Sequence, residues 1–420
     1  MRVVVLGAGI IGVTSAWFLS RAGYQVSVIE RQSASALETS FANGGQISVS
    51  QAEPWANPDA IYKIIKWLGR EDAPLLFRLQ NDPQQWLWGL RFLRECTHGR
   101  HARNLRHLVN LGLFSRATLQ ELRHQLNLQY HQQQRGILQL HCDPREYHHA
   151  RNAAAIMSKQ GCKRIDLSLS QAIELEPALT QSKIKLCGAI YSPDDESGDA
   201  HLFTRALTEH AQRAGVSFRF GQHVKQLHQI GNRISHIDIQ NEQGQHQTID
   251  ADAYVMAAGS YSPLLLRTIG IHLPIYPAKG YSLTIPLRNG DIAPHTSITD
   301  ENQKLVFSRL GNRLRIAGTA ELAGYNTDIN PQRCAAILAR CRSLFPEIIG
   351  ESEPQTWAGL RPATPNNMPF IGQSRYSNLY LNTGHGTLGW TQSCGSAAAL
   401  AQLMQGKRPE VDFPFLYATS

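Results

Sequence analysis

Arg2-Val3-Val4-Val5-Leu6-Gly7-Ala8-Gly9-Ile10-Ile11-Gly12, followed by Val13 to Ala22, Gly23 and then Val26-Ser27-Val28-Ile29-Glu30, decides the fold of this 420-residue chain. The run Arg2–Leu6 is apolar and β-branched without polar alternation, which reads as a strand buried on both faces. Gly7, Gly9 and Gly12 stand in the order G-x-G-x-x-G, and a helical stretch closed by Gly23 leads to a second buried strand ending at Glu30. Gly7 permits the tight strand-to-helix turn, Gly9 lets a pyrophosphate approach the backbone, and Gly12 lets helix and strand pack closely. Glu30 stands where a carboxylate accepts hydrogen bonds from both ribose hydroxyls and repels a 2′-phosphate, which disfavours NADP. A lone glycine motif is weak, but here strand, helix and acid fall in order within about 30 residues. FAD and NAD both satisfy this stretch.

The chain is longer than one core usually supports, so two domains are expected. Its net charge of +8 (41 basic against 33 acidic residues) is spread along the sequence and suits an anionic cofactor or an anionic membrane surface. No dense Lys/Arg run and no nucleic-acid motif is present, so no nucleic-acid partner is expected. Seven cysteines, Cys96, Cys142, Cys162, Cys187, Cys334, Cys341 and Cys394, are scattered without a C-x-x-C pair. That pattern reads as reduced thiols of a cytoplasmic protein, with no metal site. No signal-peptide pattern opens the chain, and no stretch reaches the roughly 18 apolar residues of a bilayer span.

Glu38-Thr39-Ser40-Phe41-Ala42-Asn43-Gly44-Gly45-Gln46-Ile47-Ser48 is small and polar. It suits either a backbone segment running beneath a flat ring or an ordinary surface loop. From Trp55 to Leu93 the aromatics Trp55, Tyr62, Trp67, Phe77, Trp86, Trp88 and Phe92 alternate with Lys63, Lys66, Arg70, Arg78 and Arg91. Two readings stand: helices covering a second domain with tryptophans in its core, or an interfacial surface on lipid headgroups. Arg100, Arg103 and Arg106 read as one solvated helix face. Helices are expected over 108–128, 147–161, 168–176, 202–214, 332–344 and 391–404, and strands over 136–140, 187–191, 216–220, 234–239, 246–249, 253–257, 273–286, 304–318 and 379–382. The acid-rich turn Pro193 to Asp199 invites a general-base reading, yet Asp199 stands where the N-cap of the following helix belongs.

Small residues Ala258-Gly259-Ser260 end the strand over 253–257, where the backbone can close over the adenosine half of a dinucleotide. This favours FAD over NAD. In Trp357-Ala358-Gly359-Leu360-Arg361-Pro362 one arginine is held between a glycine and a proline, and its rigid fork matches a carboxylate. Gly384-His385-Gly386-Thr387-Leu388-Gly389-Trp390 is a glycine loop before a small-residue helix, able to stabilise charge on a reduced ring. His385 is a candidate base there, or serves shape and backbone contact.

Taken together, Gly7 to Gly12, Thr39 to Ser48, Lys279-Gly280-Tyr281-Ser282-Leu283-Thr284, Gly359-Leu360-Arg361-Pro362 and Gly384 to Trp390 resemble the D-amino acid dehydrogenase family, small-subunit flavoproteins of the D-amino acid oxidase fold group. The resemblance runs nearly end to end. It implies a Rossmann-type α/β FAD-binding domain with an inserted α+β substrate domain on an antiparallel sheet. Segments 1–51, 196–265 and 351–420 are expected to form the cofactor domain, and 52–195 and 266–350 the substrate domain.

It further implies FAD, oxidative deamination of D-amino acids with D-alanine foremost, and electrons passed to a membrane quinone carrier from the cytoplasmic face of the inner membrane. An oxidase using oxygen on glycine-like amines is the alternative. The cofactor set comprises Val3, Val4, Val5, Leu6, Gly7, Ala8, Gly9, Ile10, Ile11, Gly12, Val13, Thr14, Ser15, Ala16 and Trp17. To these are added Glu30, Arg31, Ser40, Asn43, Gly44, Gly45, Gln46, Val224, Ala258, Gly259, Gly384, Gly386, Thr387, Leu388 and Gly389. Arg361, Tyr281 and His385 are the candidate catalytic residues, with Arg361 gripping the carboxylate and Tyr281 as a second contact. Hydride leaves Cα for flavin N5, driven by the amine lone pair without a general base. One departure is visible: the family reads Arg-Pro-x-Thr-Pro-Asp-Gly where this chain has Pro365-Asn366-Asn367-Met368, and asparagine tolerates the left-handed turn.

Overall fold

The computed structural model describes residues 1–67, 73–348 and 353–417. A six-stranded sheet takes the order Phe370–Gln373, Leu379–Thr383, Ala253–Met256, Arg2–Leu6, Gln25–Ile29 and Ser217–Arg219. All its pairings are parallel except that of the edge strand Phe370–Gln373. The central strand Arg2–Leu6 is buried from Val3 onward, as its unbroken apolar run requires. Helix Ile10–Arg21 packs beside helices Gly389–Met404 and Ala200–Arg213, and helix His98–Leu126 covers Gly389–Met404. A three-stranded antiparallel layer, Gln222–Ile230, Arg233–Asn241 and His246–Ile249, flanks this unit.

The second sheet has nine strands. From one edge they run Gln355–Ala363, Tyr276–Pro286, Arg313–Leu322, Leu305–Leu310, Ser297–Asp300, Ile137–His141, Gly188–Ser192 and Ile165–Leu167, with Leu75–Phe77 joined to Arg313–Leu322. It is antiparallel apart from Ser297–Asp300 on Ile137–His141 and Leu75–Phe77 on Arg313–Leu322. Helix Pro331–Leu344 closes one face, burying Cys334, Ile337, Cys341 and Leu344 against Leu283, Ile285, Phe307 and Ile316.

Several expectations shift. The strand Gln355–Ala363, grouped by sequence with 351–420, is hydrogen-bonded into the nine-stranded sheet, where Arg361 faces Ala278 across the ladder. The helix expected from residue 108 begins at His98, so Arg100, Arg103 and Arg106 ride on its first turns. The polar strand Gln222–Ile230 has no apolar alternation to announce it. Asp199 does cap its helix, its Oδ1 accepting from the N–H groups of His201 and Leu202. Asn367 sits at φ +60°, the left-handed geometry that its residue type tolerates.

Candidate active site

A cavity of about 1300 Å³ is bordered by both sheets. That exceeds the usual span of a small-molecule pocket and leaves room for an extended dinucleotide with a small substrate. Gly7 turns the chain at φ +108°, where a side chain would be strained. A Cβ on Gly12 would stand 1.8 Å from the Gly7 carbonyl oxygen, so helix and turn touch backbone to backbone. Gly9, the N-cap of helix Ile10–Arg21, carries no capping side chain, and the helix start faces the cavity with only Ser40 Oγ accepting from Ile10 N–H at 3.1 Å. This arrangement fits a bound pyrophosphate.

Glu30 ends the second strand and borders the cavity, its carboxylate accepting from Ala8 N–H at 2.6 Å and Gln32 N–H at 2.8 Å. Burial pushes this carboxyl above the usual range, against those two donors. Arg31 lies 3.7 Å over the Tyr261 ring and pairs with Glu38.

The small polar stretch 38–48 is no free loop. Ser308 Oγ donates to Gly44 carbonyl at 2.7 Å, and Arg315 donates to Asn43 carbonyl at 3.1 Å. Gln46 Nε2 donates to Ser297 Oγ and Thr299 Oγ1 at 3.0 and 3.1 Å, and Gln46–Ile47 pairs with Glu196–Ser197. The backbone of 43–46 is thereby seated along the cavity wall on the nine-stranded sheet.

Arg361 enters from the edge strand of that sheet. Its guanidinium covers Gly280 so closely that a Cβ there would lie 2.3 Å from Cζ. Nη1 donates to the Thr319 carbonyl at 2.8 Å, and among the described residues no carboxylate pairs with it. Burial alone pulls the guanidinium down to about 10, so it stays charged at neutral pH. Thr319 belongs to a bulge opposite Gly280 and holds φ +53°, which turns its carbonyl to Arg361 and leaves its hydroxyl buried without a partner.

His385 is buried in the glycine loop at the cavity wall, both ring nitrogens unpartnered. Burial pulls its imidazole down to about 3, so it is neutral at physiological pH. Tyr281 follows Gly280, and the strand's alternation sends its side chain to the opposite face from Arg361. There its hydroxyl donates to Glu321 at 2.5 Å, beside Lys279 and Arg333, within the core under helix Pro331–Leu344. The hydroxyl is thus occupied away from Arg361, contrary to the sequence expectation of a second carboxylate contact.

Of the expected cofactor residues, Leu6, Gly7, Gly9, Ile10, Ile11, Glu30, Arg31, Ser40, Asn43 to Gln46, Val224, Ala258, Gly259, Gly384 and Gly386 to Gly389 border the cavity. Val3, Val4, Val5, Ala8, Gly12 and Val13 to Trp17 stand behind it. Val13, Ala16 and Trp17 lie in the core around helices Ile10–Arg21 and Gly389–Met404, Thr14 donates to Ile10 and Ser393 carbonyls, and Ser15 accepts from Asn382. Sequence reading missed Thr319, Ser308 and Arg315. It also missed Arg164, a second half-buried guanidinium on the cavity wall, where it donates to Gln139.

A parallel sheet with an anion-ready glycine turn, an acid at the end of its second strand and a long cavity shared with a second sheet defines a dinucleotide-dependent oxidoreductase. Residues 2–403 match the model of the FAD dependent oxidoreductase (DAO) family, and the chain belongs to that family. It is 56% identical over 416 residues to a D-amino acid dehydrogenase of Dechloromonas aromatica, covering 99% of this chain and 100% of the relative. It is 50% identical over 408 residues to a D-amino acid dehydrogenase of Paramagnetospirillum magneticum, covering 97% and 96%. Among solved structures, a glycine oxidase from Geobacillus kaustophilus superposes with a TM-score of 0.77 at 21% identity, covering 98% of this chain and 96% of that one.

Proposed function

We propose that this protein is an FAD-dependent dehydrogenase that oxidises D-amino acids, D-alanine foremost, to 2-oxo acids and ammonia. The observation that carries the reading is Arg361: a half-buried, charged guanidinium on the cavity wall with one carbonyl acceptor and no carboxylate among the described residues. A buried cation without a counter-ion is costly unless a ligand supplies one. The relatives' shared name points to the α-carboxylate of a D-amino acid as that partner.

When bound, FAD supplies a two-electron acceptor for the hydride that leaves the substrate Cα. Gly7, Gly9 and Ser40 at the helix start would hold its pyrophosphate, Glu30 its ribose, and the 43–46 backbone with the 384–389 loop its ring. Arg361 orients the substrate by its carboxylate, and Thr319 orients Arg361 through its carbonyl, so positioning is the main contribution of the protein. His385 is neutral and holds no proton to shuttle as an imidazolium. The substrate amine enters unprotonated, its lone pair drives the hydride out, and the imino acid formed is hydrolysed by water.

The electron acceptor we infer is a membrane quinone, reached from the cytoplasmic face of the inner membrane. Support comes from helix Pro83–Glu95. Gln85, Trp88 and Phe92 face inward, whereas Trp86, Leu87, Leu90 and Leu93 are exposed, with Leu90 at 66%. Arg91 and Arg94 flank that apolar stripe, and Tyr62 and Leu79 are exposed nearby in sequence. Trp88 thus serves the core, as one sequence reading of 55–93 expects, while Trp86 stands in the exposed stripe. Arg70 lies outside the described residues. No helix among the described residues is long and apolar enough to cross a membrane.

The test is anaerobic mixing of the purified protein with D- and L-amino acids while the visible flavin spectrum is followed. Bleaching by D-alanine and not by L-alanine supports the reading, and an unchanged spectrum with every D-amino acid ends it. Peroxide formed stoichiometrically in air would turn the dehydrogenase into an oxidase.

A further inference from the structure

The flanking three-stranded layer carries a side-chain cluster that the chemistry above does not use. His228 on strand Gln222–Ile230 lies directly across from His236 on strand Arg233–Asn241, and Asp238 follows His236 by two residues on the same face. The two imidazoles stack with centroids 4.3 Å apart, and His228 Nε2 lies 2.7 Å from Asp238 Oδ2. One donor atom from each of the three residues lies within 4.8 Å of the others. We propose that His228, His236 and Asp238 bind one divalent transition-metal ion of the zinc type.

Three observations carry this. The donor set, two imidazole nitrogens and one carboxylate oxygen, suits zinc and its first-row neighbours, while magnesium and calcium prefer oxygen alone. The ligand spacing is the one a sheet offers for three convergent side chains: two residues at i and i+2 on one strand and a third across the ladder.

The outer contacts are also in place. Ser235 Oγ lies 3.0 Å from His236 Nδ1, which leaves Nε2 of that ring to ligate. Thr248 Oγ1 donates to Asp238 Oδ1 at 3.3 Å, which leaves Oδ2. Such partners orient metal ligands. All three side chains are part-exposed, so an ion enters from solvent and water completes its coordination. The bare alternative is a surface ion pair between Asp238 and a protonated His228, with His236 merely stacked beside it.

The ion would clip the two strands together. His228 is four residues beyond Val224, roughly 13 Å along the strand, and Val224 borders the cavity. A clip there stiffens the hairpin without touching the chemistry.

The experiment uses the flavin-loaded protein, without a histidine tag and treated with chelator, titrated with Zn²⁺ by calorimetry and with Co²⁺ by visible absorption beyond the flavin bands. One equivalent should bind, with Co²⁺ giving d–d bands of tetrahedral intensity and no thiolate charge-transfer band. His236→Ala and Asp238→Asn should each weaken binding at least tenfold, keep the flavin spectrum and D-alanine turnover, and abolish the Zn²⁺-induced rise in Tm. Absence of saturable binding in the parent protein would overturn the site, as would affinity in either variant equal to that of the parent. Turnover of D-alanine is measured separately, so failure here leaves the dehydrogenase reading intact.

Discussion

Arg361 Nη1 donates to the carbonyl of Thr319 at 2.8 Å, and Thr319 presents that carbonyl by holding φ +53° in a bulge of its own strand. One strand supplies the cation and another, two places away in the sheet, aims it. The guanidinium is thus held before a substrate arrives, and less of its freedom remains to be lost on binding.

Removing that guanidinium should be felt in substrate binding first. A charge-assisted hydrogen bond contributes about 1.5–3 kcal/mol, so Arg361→Ala should raise KM for D-alanine roughly ten- to 150-fold. Flavin absorbance should be retained. Arg361→Lys should recover little, because a point charge cannot reproduce the fork. Steady-state kinetics on flavin-replete protein checks both, and an unchanged KM would remove Arg361 from this role.

Tyr281 should behave in the opposite way. Its hydroxyl is spent on Glu321 inside the core, so Tyr281→Phe leaves a buried carboxylate with one donor fewer. The expected loss is about 1–3 kcal/mol of stability by urea unfolding, with KM for D-alanine changed less than threefold. A KM rise like that of the Arg361 variant would place the hydroxyl at the substrate after all.

The buried His385 makes a pH prediction. Its folded value near 3 lies below the ordinary 6.5, so below pH 6.5 the unfolded chain binds a proton that the folded chain refuses. Stability from this group is present above pH 6.5 and is lost as pH falls from there toward 3, by at most about 1.4 kcal/mol per pH unit. His385→Asn should flatten the stability profile between pH 6.5 and 4.5 relative to the parent. Parallel profiles would show that this ring is not the titrating group.

Two glycine-to-alanine changes should have opposite signs. Gly12→Ala drives a methyl to 1.8 Å from a backbone oxygen that is itself part of the turn, so the variant should lose flavin and unfold at lower urea. Gly89 lies inside helix Pro83–Glu95 without a positive φ, and a methyl group added there would meet no atom within 4 Å beyond its own stretch of helix. Gly89→Ala should therefore stabilise by about 0.5–1 kcal/mol. Urea midpoints of the two variants are the measurement.

Trp86→Ser with Leu90→Ser removes two exposed apolar side chains, 54% and 66% accessible, from the outward stripe of the same helix. Co-sedimentation with anionic vesicles should fall several-fold, and turnover with a soluble dye as acceptor should not. Unaltered sedimentation would detach this stripe from the membrane.

What the sequence made legible is what is local in it. The strand, glycine turn and helix of the first thirty residues are legible because they follow one another without a long excursion, and Asp199 is legible because a cap acts on its own next residues. Thr319 and Ser308 were not legible, since their roles depend on ladder register with strands far along the chain and, for Thr319, on a bulge. Val13 to Trp17 follow the glycine turn in sequence, yet they turn away from the cavity and only the helix start borders it. Tyr281 departs from expectation by a single position: its neighbour Gly280 faces the guanidinium, and a one-residue step along a strand changes sides.

The first strand pairs with Ala253–Met256, some 250 residues later, and the strand beyond that comes from Leu379–Thr383. During synthesis at about 5–20 residues per second, the apolar run Val3 to Leu6 waits roughly 12–50 s for its inner neighbour. Through that interval the ribosome carries a nascent nucleotide fold with an open, sticky seam. An unpaired strand edge is the kind of surface at which chains associate wrongly, so the late arrival of its partner is a hazard of assembly that the finished core does not record.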